Sequence, residues 1–210
     1  RDEAKVNCKL LKLLEIKHET KIVSAHRTPN RMYKFAKTAA IAGWNFFRVK
    51  TIEQAIQKTV DLLLSINAKE VLCSGEEIVT RVLKDTQFGR LMNDAKILFS
   101  DNENKEELKT TSFKADIGIT GVDYAIAETG SCVILPGLKL SRLTSLAPPY
   151  HLALVQVEKV LETLDDLFAI RKLTFLENKC KFSVKKCEPN FVSLLVSRYV
   201  FLYKKKFWEI

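Results

Sequence analysis

Apolar positions along this chain alternate between two periods. From Asn7 to Ile16, Leu10, Leu13, Leu14 and Ile16 fall at helical spacing with lysines between them. Thr20 to Val23 reads as a short strand that runs into Ser24-Ala25-His26-Arg27-Thr28-Pro29. Thr28 suits an N-cap and Pro29 the first turn, so the next helix is predicted over Asn30–Ile41, stopping at Gly43.

The alternation then continues. Asn45–Val49 reads as a strand, and Thr51 caps an amphipathic helix with Ile52, Ala55, Ile56, Val60 and Leu63 on one face. Strands are predicted at Glu70–Cys73, Lys96–Phe99, Ala115–Ile119, Ser131–Leu135 and His151–Val157. Helices are predicted at Glu76–Leu83, Gly121–Ala127 and Val160–Ile170, and Asp101–Glu107 reads as an acidic loop or helix start. Ile117, Ile119, Val133, Ile134, Leu152, Leu154 and Val155 sit in short continuous apolar runs, as buried parallel strands require. This is the pattern of an α/β protein with a mainly parallel sheet.

Composition narrows the class. The chain has 210 residues, 47% hydrophobic and 28% charged, which suffices for a packed core and does not fit a disordered chain. No apolar run approaches the roughly 20 residues of a membrane span; the longest, Phe191–Tyr203, is broken by Ser193, Ser197 and Arg198. Arg1-Asp2-Glu3 is followed by no h-region, so no signal peptide is expected and the cytoplasm is the expected location. The net charge is +9, and ten basic residues against three acidic ones fall within residues 171–210. A basic tail explains the charge without a nucleic-acid-binding fold, and no motif for nucleic acid is present. The five cysteines form no Cys-x-x-Cys pair, and there are three histidines. A disulfide scaffold, a four-thiolate cluster and a multi-histidine metal site are therefore not expected. Cys73 and Cys132, inside apolar runs, read as small core residues.

Two stretches carry chemistry. In the first, a strand ends in Ser24, His26 and Arg27 just before a helix N-terminus, where backbone N–H groups and a bidentate guanidinium suit a phosphate. Lys21–Met32 resembles the N5-carboxyaminoimidazole ribonucleotide mutase family of purine synthesis, the catalytic subunit of AIR carboxylase. The resemblance covers about residues 3–42 and implies nucleotide phosphate binding at Ser24, His26 and Arg27. The family's opening phosphate loop and its loop with the catalytic histidine have no counterpart here, so proton transfer lacks an acid or base. The plain alternative for these residues is a surface turn.

The second stretch is Ala115-Asp116-Ile117-Gly118-Ile119-Thr120-Gly121-Val122-Asp123-Tyr124-Ala125-Ile126-Ala127-Glu128-Thr129-Gly130-Ser131, followed by Arg142 and Ser145-Leu146-Ala147-Pro148-Pro149-Tyr150-His151. Its glycines let backbone approach a ligand or another chain segment closely. Its polar residues fall at strand ends, where α/β sites form. The pattern resembles the LUD domain of lactate-utilization C-type proteins over about residues 46–170. Val122 stands where alanine is usual, and Gly137-Leu138-Lys139-Leu140 is shorter and poorer in glycine than the usual loop.

The resemblance implies a three-layer α/β sandwich related to the sugar-phosphate isomerase and CoA-transferase group. It also implies a role in L-lactate oxidation beside partner subunits that carry the iron–sulfur clusters, with no cofactor or metal in this chain. The candidate ligand residues are Thr120, Gly121, Asp123, Thr129, Gly130 and Arg142, for a small anion, and Glu128 is the candidate catalytic carboxylate. The plain readings stand beside these: Glu128 capping a turn, Asp123 starting a helix, Arg142 solvated, and His151 a hydrogen-bonded structural residue. The expected organisation is a mutase-like segment at 1–43, a LUD domain at 44–170 and a basic tail of unknown role at 171–210. The tail lacks a sustained period and is expected to add little stability. Self-association stays open, and the enzyme of purine synthesis is the alternative function.

Overall fold

The computed structural model describes residues 29–92, 95–100, 105–135, 142–171 and 174, and the backbone of 199–205. In chain order its strands are β1 (Asn45–Val49), β2 (Glu70–Cys73), β3 (Lys96–Phe99), β4 (Ile117–Gly121), β5 (Tyr124–Ile126), β6 (Ser131–Val133), β7 (Tyr150–Gln156), β8 (Val160–Leu161) and β9 (Tyr199–Lys205). The helices are α1 (Pro29–Ile41), α2 (Ile52–Ser65), α3 (Glu77–Leu83), α4 (Thr86–Leu91), α5 (Lys105–Lys114), α6 (Arg142–Leu146) and α7 (164–171). The main sheet has the order β1-β9-β7-β4-β2-β3, and a second sheet has the order β6-β5-β8. Strands β3, β2, β4 and β7 are parallel, β9 is antiparallel to β7, and β1 is antiparallel to β9. The result is an α/β protein with helices on both faces of a mainly parallel sheet.

Period-2 alternation sends neighbouring side chains to opposite faces. On one face Val71, Cys73, Ile117, Ile119, Leu152 and Leu154 pack against Ala55, Ile56, Val60 and Leu63 of α2, Ile78, Val79 and Val82 of α3 and Phe88 of α4. On the other, Ala153 and Val155 pack against Met32, Phe35 and Ala39 of α1, and Leu72 packs against Leu108 of α5. Thr51 caps α2 by accepting from the Gln54 amide at 3.3 Å. Gly43, at φ 82°, ends α1 in the left-handed region that glycine tolerates.

Four expectations change. The helix predicted over Gly121–Ala127 is absent: Gly121 continues β4 opposite Leu154, and Tyr124–Ile126 pairs with both β6 and β8. A short apolar run does not distinguish a buried strand from a helix by period, and here two sheet partners decide. The predicted helix from Val160 starts later, because Val160–Leu161 pairs beside β5. Thr163 and Asp166 then form a reciprocal cap, the Asp166 carboxylate accepting from the Thr163 amide at 3.1 Å and Thr163 Oγ1 from the Asp166 amide at 3.3 Å.

Val133 and Ile134, expected in the core, are half-buried, since β6 is an edge strand of the small sheet. Finally, Tyr199–Lys205 is a strand between β1 and β7. Removing it strips β1 of its partner and β7 of one of two, so truncation after Ile170 is no longer expected to be mild. Phe191, Leu194, Leu195 and Val196 lie outside the described residues.

Candidate functional site

In an open parallel sheet, groups that leave the carboxyl ends of neighbouring strands converge at one edge. Here β2 continues into Ser74-Gly75-Glu76, β4 into Val122-Asp123, and β7 into the 3-10 turn Val157–Lys159. A cavity of about 300 Å³ opens at this edge, lined by Glu76, Glu77, Ile78, Arg81, Asp123, Gln156 and Lys159.

Two of its three carboxylates, Glu76 and Asp123, are held, whereas Glu77 is exposed. Ser74 Oγ donates to Glu76 Oε2 at 3.0 Å, and a Cβ at Gly121 would overlap that same carboxylate. Glycine at 121 is what lets Glu76 lie across the end of β4. Burial pushes the Glu76 carboxyl up, and the Asp123 charge adds to this. The Ser74 hydroxyl, the Gly121 amide and Lys159 pull it back. Asp123 Oδ2 accepts from the Leu135 amide at 2.6 Å, which ties the end of β4 to the segment after β6. Asp123 therefore starts no helix.

The other predicted residues are distributed elsewhere. Thr120 is fully buried, and its Oγ1 lies 2.9 Å from His151 Nε2 on β7, whose ring meets Trp44 edge-on at 5.7 Å. His151 is a hydrogen-bonded residue of the interior. Gly130, at φ 69°, lies against the backbone of α1, where a Cβ would overlap Thr38 and Ala39. Thr38 Oγ1 donates to the Ala127 carbonyl at 2.8 Å and closes the same contact. Glu128 is exposed, and its Oε2 accepts from the Leu164 amide at 3.3 Å. Thr129 is exposed and donates to Ser131 at 2.9 Å. Arg142 is exposed at the first position of α6. Ser24, His26 and Arg27 lie outside the described residues.

Sequence reasoning reached Asp123 in the cavity and Gly121 beside it, and missed Glu76, Arg81, Gln156 and Lys159. Glu76 was read only as the start of a helix. Its signal was available: Ser-Gly-Glu directly after a buried apolar strand, at the end where α/β sites form.

Among the described residues no three His, Cys, Asp or Glu side chains converge as a metal site. Cys73 is buried, and burial pushes its thiol up; the Cys132 thiol is pushed up to about 12 for the same reason. Neither has the thiolate character of a nucleophile or ligand. No helix among the described residues is long and apolar enough to cross a membrane.

The fold defines the class, a layered α/β domain with a polar cavity at the carboxyl ends of its parallel strands. Within that class, residues 32–189 match the LUD domain family, and the chain belongs to it. The match takes in nearly all of α1, in keeping with the packing of that helix on the sheet. The chain is 30% identical over 110 residues to lactate utilization protein C of Halalkalibacterium halodurans, covering 51% of this chain and 44% of that protein. It is 33% identical over 63 residues to lactate utilization protein B of Shouchella clausii, covering 30% of this chain and 13% of that protein. Lactate utilization protein B 1 of Bacillus mycoides is 35% identical over 60 residues, again 13% of its length. The chain thus spans less than half the length of these relatives. No solved structure matches.

Proposed function

We propose that this chain is the subunit without iron–sulfur clusters in an L-lactate-oxidising complex, and that it binds a small anion. Lactate becomes pyruvate by losing two electrons and two protons, and on this reading the electrons pass to the clusters of partner subunits. The observation that carries the reading is the LUD domain match over residues 32–189, joined by the resemblance to lactate utilization protein C. The cavity supports it with cationic and carboxyl groups on a rigid sheet edge, which suits binding and orientation of a small acid.

The test is reconstitution of lactate-dependent electron transfer with the iron–sulfur partners, with and without this chain. The expected result is loss of transfer when the chain is withdrawn; undiminished transfer would remove the reading. Of the residues that the family resemblance singles out, Asp123 in the cavity wall and Gly121 beside it are the ones proposed to serve the anion. Glu128→Gln in the same assay examines the carboxylate that the family resemblance singles out. Reduced transfer with an intact fold would give Glu128 a role at the site. Full activity would leave it as the contact to the start of α7.

A further inference from the structure

The cavity at the carboxyl ends of β2, β4 and β7 has a charge pattern more specific than an anion site. Arg81 and Lys159 supply two cations from separate elements, one on α3 and one on the turn after β7. Glu76 and Asp123 supply carboxyl groups from the ends of β2 and β4, and Glu77 a third from the first turn of α3. A dianion entering here would meet three carboxylates, whereas an apolar ligand would add no partner for the charges of Arg81 and Lys159. A single carboxylate attached to a hydrogen-bond donor satisfies both halves of the wall. The volume of about 300 Å³ is at the small end of ligand sites, which run from roughly 300 Å³ upward.

We propose that this cavity binds a short monocarboxylate carrying a hydroxyl on the adjacent carbon, with Arg81 and Lys159 on the carboxylate and Glu76 accepting from the hydroxyl. The substrate class rests on the lactate-utilization reading, whereas the assignment to these residues rests on the cavity itself. Asp123 is held by the Leu135 amide and acts as the fixed flank of the site. Ser74 orients Glu76 from below. Gly121 is the specificity element, because any side chain there would displace the Glu76 carboxylate.

The experiment is calorimetric titration of the 210-residue chain with L-lactate and with propionate, which lacks the hydroxyl. A parallel nuclear magnetic resonance titration follows the backbone amides. Wild-type protein is expected to bind lactate roughly tenfold more tightly than propionate, the scale of one charge-assisted hydrogen bond. Glu76→Gln should erase that preference while keeping propionate affinity. Lys159→Met should weaken both ligands about equally. Lactate should shift the amides of Gly121, Asp123 and Lys159 in wild-type protein, a readout that needs no variant to fold.

Absence of lactate binding, equal affinity for the two acids, or shifts confined to the region of Glu128 would overturn the proposal. Wild-type affinity and preference in Glu76→Gln would do so as well. The functional reading fails separately. If reconstituted lactate oxidation needs this chain while Glu76→Gln binds lactate normally, the function stands and this site falls. Binding in the cavity by a chain that the complex does not need would do the reverse.

Discussion

Three glycines in one seventeen-residue stretch do two different jobs, and the difference separates scaffold from site. At Gly118 and Gly130 the space a Cβ would take is filled by main chain: the Thr144 carbonyl of α6 in one case, the Thr38–Ala39 peptide of α1 in the other. Main chain in a packed helix cannot yield. At Gly121 the space is filled by the end of a flexible carboxylate, Glu76, beside an open cavity. The same residue type therefore locks two helices onto the sheet and, three positions along β4, frees a functional group to lie over a strand end.

Substitution should expose that contrast. The largest effect is expected for Gly118→Ala, where β4 and α6 must part. A loss of about 3 kcal/mol in urea unfolding is expected from overpacking against rigid backbone. A loss below about 1 kcal/mol would show that α6 moves freely, and the contrast would collapse. Gly130→Ala combines the same kind of overlap with a φ of 69°. It should cost about 2 kcal/mol. Because α1 is its neighbour, weakened hydrogen-exchange protection in residues 29–41 would be the specific signature.

Gly121→Ala belongs to the other class. Glu76 can swing away, so a stability loss of about 1 kcal/mol is expected, with loss of the lactate preference proposed for the cavity. If this variant is as unstable as Gly118→Ala, Gly121 is scaffold too.

The smallest effect concerns pH. Burial raises the Glu76 pKa in the folded chain above the ordinary 4.5. The folded state thus holds that proton more tightly than the unfolded state does. The associated stability is fully present below the ordinary value and lost as pH rises through the raised one. Glu76→Gln, which cannot ionise, should match wild type in the acid range. It should gain in relative Tm as pH rises, by roughly 2 °C in a scan series. A Tm difference that is flat across that window would mean the Ser74, Gly121 and Lys159 contacts offset the burial entirely.

Much of the scaffold was legible because it obeys local rules. Pro29 and Gly43 bracket α1, Thr51 caps α2, and the apolar pairs Ile117/Ile119 and Leu152/Leu154 alternate as strands with one face in the core must. The site was only half legible. Gly121 and Asp123 announce themselves through the motif, yet Glu76 precedes them by more than forty residues and Lys159 follows by more than thirty. No spacing rule links such positions. Parallel pairing of β2 with β4 and β4 with β7 brings them together. Glu128, the carboxylate most conspicuous in the sequence, lies instead at the exposed junction with α7.

The amino-acid order alone determined the class of fold, the positions of most strands and helices, and the family pattern from Ala115 to His151. Those depend on side-chain period, caps and turns, which act over a few residues. Tertiary structure alone decided that Tyr124–Ile126 is a strand, that Tyr199–Lys205 fills the gap between β1 and β7, and which carboxyl group lines the cavity. Each of those outcomes depends on a distant partner: a backbone that needs a second strand, an edge that needs a cover, a carboxylate that needs a glycine opposite it. Local pattern carries no record of such partners, because the contact exists only after the sheet has closed.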